Sequence, residues 1–408
     1  MLNIKKRNIP FSPPDITEEE IDEVKNVMKS GWITTGPLTK KFEREISKYN
    51  GVNNSVCLNS ATAAMELTLR ILGVGPGDEV ITSAYTYTAT ASVVNHIGAK
   101  LVLVDTAPDS YEMDYLKLSD LITEKTKVII PVDLAGKICD YETIYSIVES
   151  KKHLFKASSK LQRVFNRIIV MSDAAHAFGA TKNGKVCGNI SDFTCFSFHA
   201  VKNLTTAEGG AVSWKNRSGL DDKWLYKQYM LYSLHGQSKD AFSKNALGAW
   251  EYDIIYPGYK CNMTDISSSI GLKQLERYND TLKRRMEITQ IYDSALNPLG
   301  VKTIEHKNNN ENSSCHLYIT RVPGINESER NDIIKEMAEF GITCNVHYKP
   351  LPMMTAYKNM GFNIENYPNS YNQYSNSITL PLHTLLTNDD INYVIQHFLK
   401  IIEKYKKA

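Results

Sequence analysis

Apolar residues recur three and four positions apart in "TEEEIDEVKNVMKSG", residues 17–31, where Ile21, Val24, Val27 and Met28 share one face of a predicted helix. Thr17 with Glu20 makes a capping box at its start, and Gly31 ends it. A turn-rich connector, "GWITTGP", follows. From about residue 55 the period switches back and forth. "SVCL" predicts a strand and "TAAMELTLRIL" a helix; "EVITSA", "ATASVVNHI" and "LVLVD" repeat strand, helix, strand. A helix near 114–123 precedes the strand "KVIIPVD", another runs from about 140, and "RIIVMSD" and "DFTCFSF" are further strands. This alternation predicts an α/β fold with a mostly parallel sheet covered by helices on both faces. The basic, amphipathic "ESKKHLFKASSKLQRVFNR" reads as a solvated insertion before the strand that ends at Asp173.

Beyond about residue 260 the pattern changes. "DISSSIGLKQLERYNDTLKRRMEITQIYDSAL" predicts one long helix or two end to end. The polar loop "HKNNNENSS" leads to the strand "CHLYIT", a helix near 326–339, the strand "ITCNVHY" and a last helix near 388–405. A chain of 408 residues exceeds what one hydrophobic core usually serves. The expectation is a large α/β domain over 13–262 and a smaller α+β domain over 263–408, with segment 1–12 packed nearby.

Composition narrows the function classes. The formal net charge of +2 argues against nucleic acid or an anionic membrane as partner. Seven cysteines are scattered without a CxxC pair, which predicts reduced thiols in a cytoplasmic protein rather than a disulfide framework or a zinc site. No apolar run has the length of a membrane span or the form of a signal peptide. The ten histidines show no metal-ligand spacing, and no metal is expected.

In an open parallel sheet, ligands lie beyond the carboxyl ends of the strands. That places Ser60–Thr62, Tyr85–Tyr87, Asp173 and Ser197 on one rim. In "NSATAAMEL" a strand gives way to a helix whose first N–H groups suit a phosphate, or Ser60 or Thr62 is a plain N-cap. Tyr85 and Tyr87 either stack on a planar ring or pack as core aromatics. Asp173, with His176 three residues on, either caps a helix or protonates a ring nitrogen. Lys202, in "SFHAVKNLTTAEGG", lies between two strands and beside aromatics, where burial would turn an amine into a nucleophile. Phosphate holder, ring stacker, aspartate and lysine together fit pyridoxal phosphate (PLP), whose aldehyde a lysine holds covalently and whose ring nitrogen an aspartate keeps protonated.

The chain resembles the DegT/StrS-type nucleotide-sugar aminotransferases, within the fold type I class of PLP-dependent transferases. "SGWITTGPLTKKFE", "LNSATAAMEL", "GVGPGDEVI", "AYTYTATASVV", "SDAAHAFGA", "SFHAVKNLTTAEGG", "GYKCNMTDISSSIGLKQL", "VHYKPL" and "LPLHTLLT" fall in family order across nearly the whole chain. The resemblance implies that Lys202 is the Schiff-base lysine, that Asp173 pairs with the pyridine nitrogen, and that His176 lies near the ring hydroxyl. Tyr87 corresponds to the ring-stacking aromatic, and Ala61, Thr62 and Ser197 to the phosphate holders, with Ala61 where the family usually has Gly. Thr35, His347 and Tyr348 match segments bordering the substrate. Glu208 and Gly209 follow the lysine and shape its loop. Where many members read G-Y-N-x-R, this chain has Lys260 and Asn262, wording close to the branch that makes 4-amino-4-deoxy-arabinose nucleotides. Lys260 would reach the cofactor phosphate or substrate of a neighbouring subunit, with Asn262 a further cofactor-binding candidate, which implies a homodimer with shared active sites.

The resemblance implies ping-pong transamination from L-glutamate to a keto-sugar nucleotide, 4-keto and UDP- or dTDP-linked, in amino-sugar and surface-polysaccharide biosynthesis. Lys202 would be both anchor and general acid/base. Two alternatives are a PLP-binding sugar dehydratase of the same family, in which a histidine replaces the lysine, and a non-catalytic regulatory protein that keeps the fold.

Overall fold

The computed structural model describes residues 7–239 and 251–405. Its strands are, in chain order, β1 (Ser55–Leu58), β2 (Glu79–Ser83), β3 (Lys100–Val104), β4 (Thr126–Ile130), β5 (Ile169–Asp173), a short hairpin of β6 (Thr181–Lys182) and β7 (Lys185–Val186), then β8 (Phe193–Ser197) and β9 (Gly210–Trp214). Seven of these form the central sheet in the order β1-β9-β8-β5-β4-β2-β3. All neighbours pair in parallel except at β9, which runs against both β1 and β8. Helices lie on both faces, as the alternation of strand and helix requires.

Most strands of this sheet are buried end to end, so they read as continuous apolar runs. Their side chains still divide by parity. Val80, Val128, Ile130, Ile169 and Met171 pack with the helices Ala61–Ile71, Thr88–His96 and Asp222–Ser233 on one face. Ile81, Ile129, Val170 and Ala211 pack with Pro37–Asn50, Tyr115–Leu121 and Tyr141–Ser150 on the other.

The reversal of β9 positions the site. The carboxyl ends of β1 and β8 lie at one rim, and β9 begins there, with Gly210 registered against both Leu58 and Ser197. The loop carrying Lys202 therefore starts and ends on that rim.

A second core draws on Ile9 and on apolar residues between 288 and 402. It covers a three-stranded antiparallel sheet of β10 (Lys302–Thr303), β12 (Tyr318–Arg321) and β13 (Ser377–Leu380). Between these in sequence, β11 (Glu311–Asn312) crosses to pair with β6. The predicted long helix is two, Asp265–Glu276 and Tyr278–Leu296, meeting at Arg277.

Several expectations need correction. The stretch 149–167 is not a solvated insertion: Leu161 and Phe165 are in the core, and the Gln162 amide donates to the carbonyl of Leu72 at 3.0 Å. "ITCNVHY" forms isolated bridges, Ile342 with Ile9 and Asn345 with Thr379, rather than a strand. In the helix Glu18–Ser30 only Val27 of the predicted face is buried, while Ile21 and Met28 are exposed. Glu20 is buried in their place because its carboxylate accepts from Gln274 and Arg277, both at 2.9 Å. The helices Pro37–Asn50 and Asp222–Ser233, the β6–β7 hairpin and β13 are additions to the predicted elements. All seven cysteines are free, and no described helix is long and apolar enough to cross a membrane.

Candidate active site

A cavity of about 500 Å³ opens at the rim. Ser60, Ala61, Thr62, Tyr87, Asp173, His176, Ser197, Lys202, His347 and Tyr348 all contribute to its wall. It thus gathers residues separated by nearly three hundred positions.

Each enters from a strand end or a helix start. Ser60 caps the helix Ala61–Ile71 by accepting from the N–H of Ala63 at 3.1 Å, and the first intrahelical bond is Ala64 N–H to the Ser60 carbonyl. Among the described residues the N–H groups of Ala61 and Thr62 have no acceptor, so both are available to an anion at the positive end of the helix. Gly210 touches this turn: a Cβ there would lie 2.3 Å from the Ser60 carbonyl carbon and 2.4 Å from the Ala61 nitrogen. Only glycine lets β9 begin so close to the helix start. Of the two tyrosines, Tyr85 is a core residue that donates to the carbonyl of His347 at 2.8 Å. Tyr87 is 59% exposed and lines the cavity, its ring 5.8 Å from that of Tyr348.

Asp173 ends β5 with its carboxylate buried. Oδ2 accepts from Thr90 at 2.6 Å and Oδ1 from the N–H of Ala175 at 3.1 Å. Burial raises its pKa, opposed by these two bonds and by Lys202. Lys202 has the converse problem. Burial pulls its ammonium down to about 8, with the attraction of Asp173 opposing. An amine with that pKa gives up its proton far more readily near neutrality than an ordinary lysine does, which a nucleophile needs. His176 is neutral, pushed well below its ordinary value by burial and then by the nearby charge of Lys202. His347, pushed down to about 3 by burial and Lys202, bonds the Thr379 hydroxyl at 3.0 Å.

Three further residues carried over from the resemblance lie elsewhere. Lys260 donates to the Asn262 side-chain oxygen, Asn262 Nδ2 donates to the Thr35 hydroxyl, and Thr35 donates to the carbonyl of Met263. Thr35 and Asn262 border a separate, smaller cavity of about 170 Å³. The exposed pair His199 and Glu208, 3.6 Å apart, adds to the wall of the larger one. Sequence reasoning did not single out Thr86 or Thr90, although both lie in the quoted "AYTYTATA" beside the tyrosines. Their only signal would have been a hydroxyl at each of two positions spaced by one helical turn.

Does this wall suit PLP? A reactive amine, a buried carboxylate, an aromatic ring and a helix start with two open N–H groups face one volume, and the absent Cβ of Gly210 keeps that helix start in place. The donor set matches the cofactor's aldehyde, ring nitrogen, ring face and phosphate. Fold and site together define a fold type I PLP-dependent transferase. The profile of the DegT/DnrJ/EryC1/StrS aminotransferase family matches residues 14–399, and the chain belongs to that family. It is a PLP-dependent sugar aminotransferase.

Related proteins agree. The chain is 55% identical to a Streptococcus pneumoniae protein assigned as a sugar aminotransferase and solved in its PLP-form, with a TM-score of 0.95 and coverage of 98% of this chain and 100% of that one. It is 35% identical to the spore coat polysaccharide biosynthesis protein SpsC of Bacillus subtilis, covering 98% of this chain and 99% of the relative. It is also 35% identical to the UDP-4-amino-4-deoxy-L-arabinose–oxoglutarate aminotransferase of Shewanella sediminis, covering 97% and 98%.

Proposed function

We propose that the protein moves an amino group from L-glutamate to a keto group at C4 of a UDP- or dTDP-linked sugar, by a ping-pong cycle, in the cytoplasm, for amino-sugar and surface-polysaccharide biosynthesis. The observation that carries the reading is Lys202, its pKa drawn down to about 8, sharing one cavity with the buried carboxylate of Asp173. The printed names of two relatives support the finer choices: one refers to polysaccharide biosynthesis, the other to a UDP-linked 4-amino sugar and oxoglutarate, the keto partner of glutamate.

When bound, PLP supplies an aldehyde for amines and a ring that accepts electrons. The chain supplies the rest. Lys202 would hold the aldehyde and, as a free amine, would move a proton at the α carbon of the amino donor. Asp173 would hold the proton of the ring nitrogen, and His176 would lie on the side of the ring hydroxyl. Tyr87 would cover a ring face. Ala61 and Thr62, through their N–H groups, and Ser197 would hold the phosphate. His347 and Tyr348, from the smaller domain we place at 263–408, close the cavity of the large domain at 13–262 on the substrate side. Lys260, Asn262 and Thr35 serve the site of a second subunit in a homodimer.

The test is to incubate the protein with glutamate and a panel of 3-keto and 4-keto sugars linked to UDP or dTDP, reading product masses. A gain of one amine on a 4-keto nucleotide, with matching oxoglutarate, is expected. Amination confined to free sugars or to 3-keto nucleotides would overturn the substrate assignment.

A further inference from the structure

The hydroxyls of Thr86 and Thr90 lie 2.8 Å apart, and Thr90 Oγ1 donates to Oδ2 of Asp173 at 2.6 Å. Both threonines are buried, and Thr86 is part of the cavity wall. An ionised carboxylate only accepts hydrogen bonds. The Thr90 proton is therefore committed to Asp173, and the bond between the two hydroxyls has one direction: Thr86 donates and Thr90 accepts. Chained donors polarise one another in a low-dielectric interior, so the second hydroxyl strengthens the bond made by the first. Oδ1 takes its single bond from the N–H of Ala175 at 3.1 Å. Among the described residues each carboxylate oxygen thus has one donor, which leaves acceptor capacity for a group in the cavity. Thr90 also belongs to the first turn of the helix Thr88–His96, whose positive end favours an anion beside it.

We propose that Thr86 and Thr90 are positioning residues, a directional pair of hydroxyls that keeps Asp173 ionised and aimed at the ring nitrogen of PLP. The inference rests on reading Asp173 as the partner of that nitrogen. Removing either hydroxyl while keeping the side-chain shape weakens the hold on the cofactor and moves the ring proton toward Asp173, since an unsupported buried carboxylate is the stronger base.

Four variants decide it: Thr90→Val, Thr90→Ser, Thr86→Val and Asp173→Asn. Each is prepared as apo-protein and titrated with PLP for the dissociation constant. The 15N resonance of ring-labelled PLP is then recorded on the loaded protein. Thr90→Val is expected to bind about tenfold more weakly, because a hydrogen bond to a charged group is lost. Its 15N signal should shift toward that of an unprotonated ring. Thr90→Ser restores the hydroxyl and should match wild type in both readouts, which a packing role for the methyl group would not allow. Thr86→Val should show the same shift at roughly threefold weaker binding. Wild-type affinity and 15N position in Thr90→Val, with both lost in Asp173→Asn, would overturn the pair and leave the reading of Asp173 standing. An Asp173→Asn variant indistinguishable from wild type would instead sink that underlying reading. Should Thr90→Val prove insoluble, Thr86→Val carries the decision alone, and wild-type values from it count against the proposal.

Discussion

The backbone N–H of Ala135 donates to Nδ1 of His176 at 3.2 Å, and this bond decides which ring nitrogen carries the proton. His176 is neutral, so a nitrogen that accepts is unprotonated and Nε2 must hold the hydrogen. Nε2 lies 3.1 Å from the Tyr348 hydroxyl oxygen. That oxygen therefore receives a hydrogen bond, and the phenolic proton is free to be given to an acceptor in the cavity. Tyr348→Phe, which keeps the ring and removes this donor, should lower kcat by about tenfold to a hundredfold. Burial raises the Tyr348 pKa far above its ordinary value, so steady-state kinetics should show the same deficit across the working pH range. A deficit that disappeared at one end of that range would mean the proton sits elsewhere.

Lys202 makes a prediction about stability rather than turnover. Unfolded, its amine titrates near the ordinary 10.5; folded, near about 8. Between those values the unfolded chain binds more protons, so the stability of the apo-protein rises with pH. Below about pH 8 the amine is charged in both states, and its burial costs on the order of 3 kcal/mol. Lys202→Met, measured by denaturant unfolding of apo-protein, should gain about that much at neutral pH relative to its own margin over wild type above pH 10.5. A pH-independent difference between the two proteins would show that the buried amine is not the source. The same variant should fail to retain PLP after borohydride treatment, whereas wild type should carry it on Lys202.

Much of this site is legible in the order of residues alone. Asp173 and Ser197 stand at strand ends and Lys202 in the loop that joins two of them, and strand ends in an alternating α/β pattern fall on one rim. The hydroxyl pair is hidden because the partner of Thr90 is 83 positions away, and hydrogen bonds across such distances leave no local period. The missed strand Ser377–Leu380 has the same cause, since its pairing with Tyr318–Arg321 is non-local and only four residues long. Helix periodicity groups Ile21, Val24, Val27 and Met28, yet it identifies a stripe and says nothing of what covers it. Only Val27 is fully buried within the described residues, and Val24 is half-buried. In 149–167, the charge density conceals two core anchors, because Leu161 and Phe165 alternate with Lys160 and Arg163, which reach solvent, and precede Arg167, which is buried against Asp192.

That burial is testable. Phe165 packs in a tilted arrangement against Phe193 of the central sheet, with ring centroids 5.8 Å apart, and is 2% exposed. Phe165→Ala should destabilise the protein by about 3–5 kcal/mol, as large-to-small core substitutions do. A mobile solvated insertion would lose less than about 0.5 kcal/mol. Thermal or denaturant unfolding separates these outcomes cleanly, and PLP affinity should be little changed among molecules that remain folded.

Gly210→Ala probes the phosphate end. The new methyl carbon would meet backbone atoms of Ser60 and Ala61 at 2.3–2.4 Å, well inside contact distance, and backbone cannot swing aside as a side chain can. Either β9 or the start of the helix Ala61–Ile71 must shift, at a cost of about 1–3 kcal/mol. The two open N–H groups move with that turn. Apparent PLP affinity should fall by at least about tenfold, since a misplaced anion site loses charge-assisted bonds. Inorganic phosphate should compete with PLP for wild-type apo-protein and much less for the variant; equal competition would place the phosphate somewhere other than this helix start.

The last prediction concerns the residues that the fold leaves outside the Lys202 cavity. Asn262 is bonded to Lys260 and Thr35, away from the cavity of its own chain. If it completes the site of a second copy, Lys202→Ala and Asn262→Ala should each be inactive or strongly impaired alone yet complement when mixed. In a two-fold dimer, random reassortment makes half the molecules mixed, and each mixed dimer has one site with both residues intact. Mixing equal amounts after gentle dissociation should therefore recover about a quarter of wild-type activity. The recovered kcat/KM per intact site should equal that of wild type, because nothing in that site is altered. No recovery, with exchange of subunits verified by mass, would assign Asn262 to the structure of its own chain and remove the argument for a shared site.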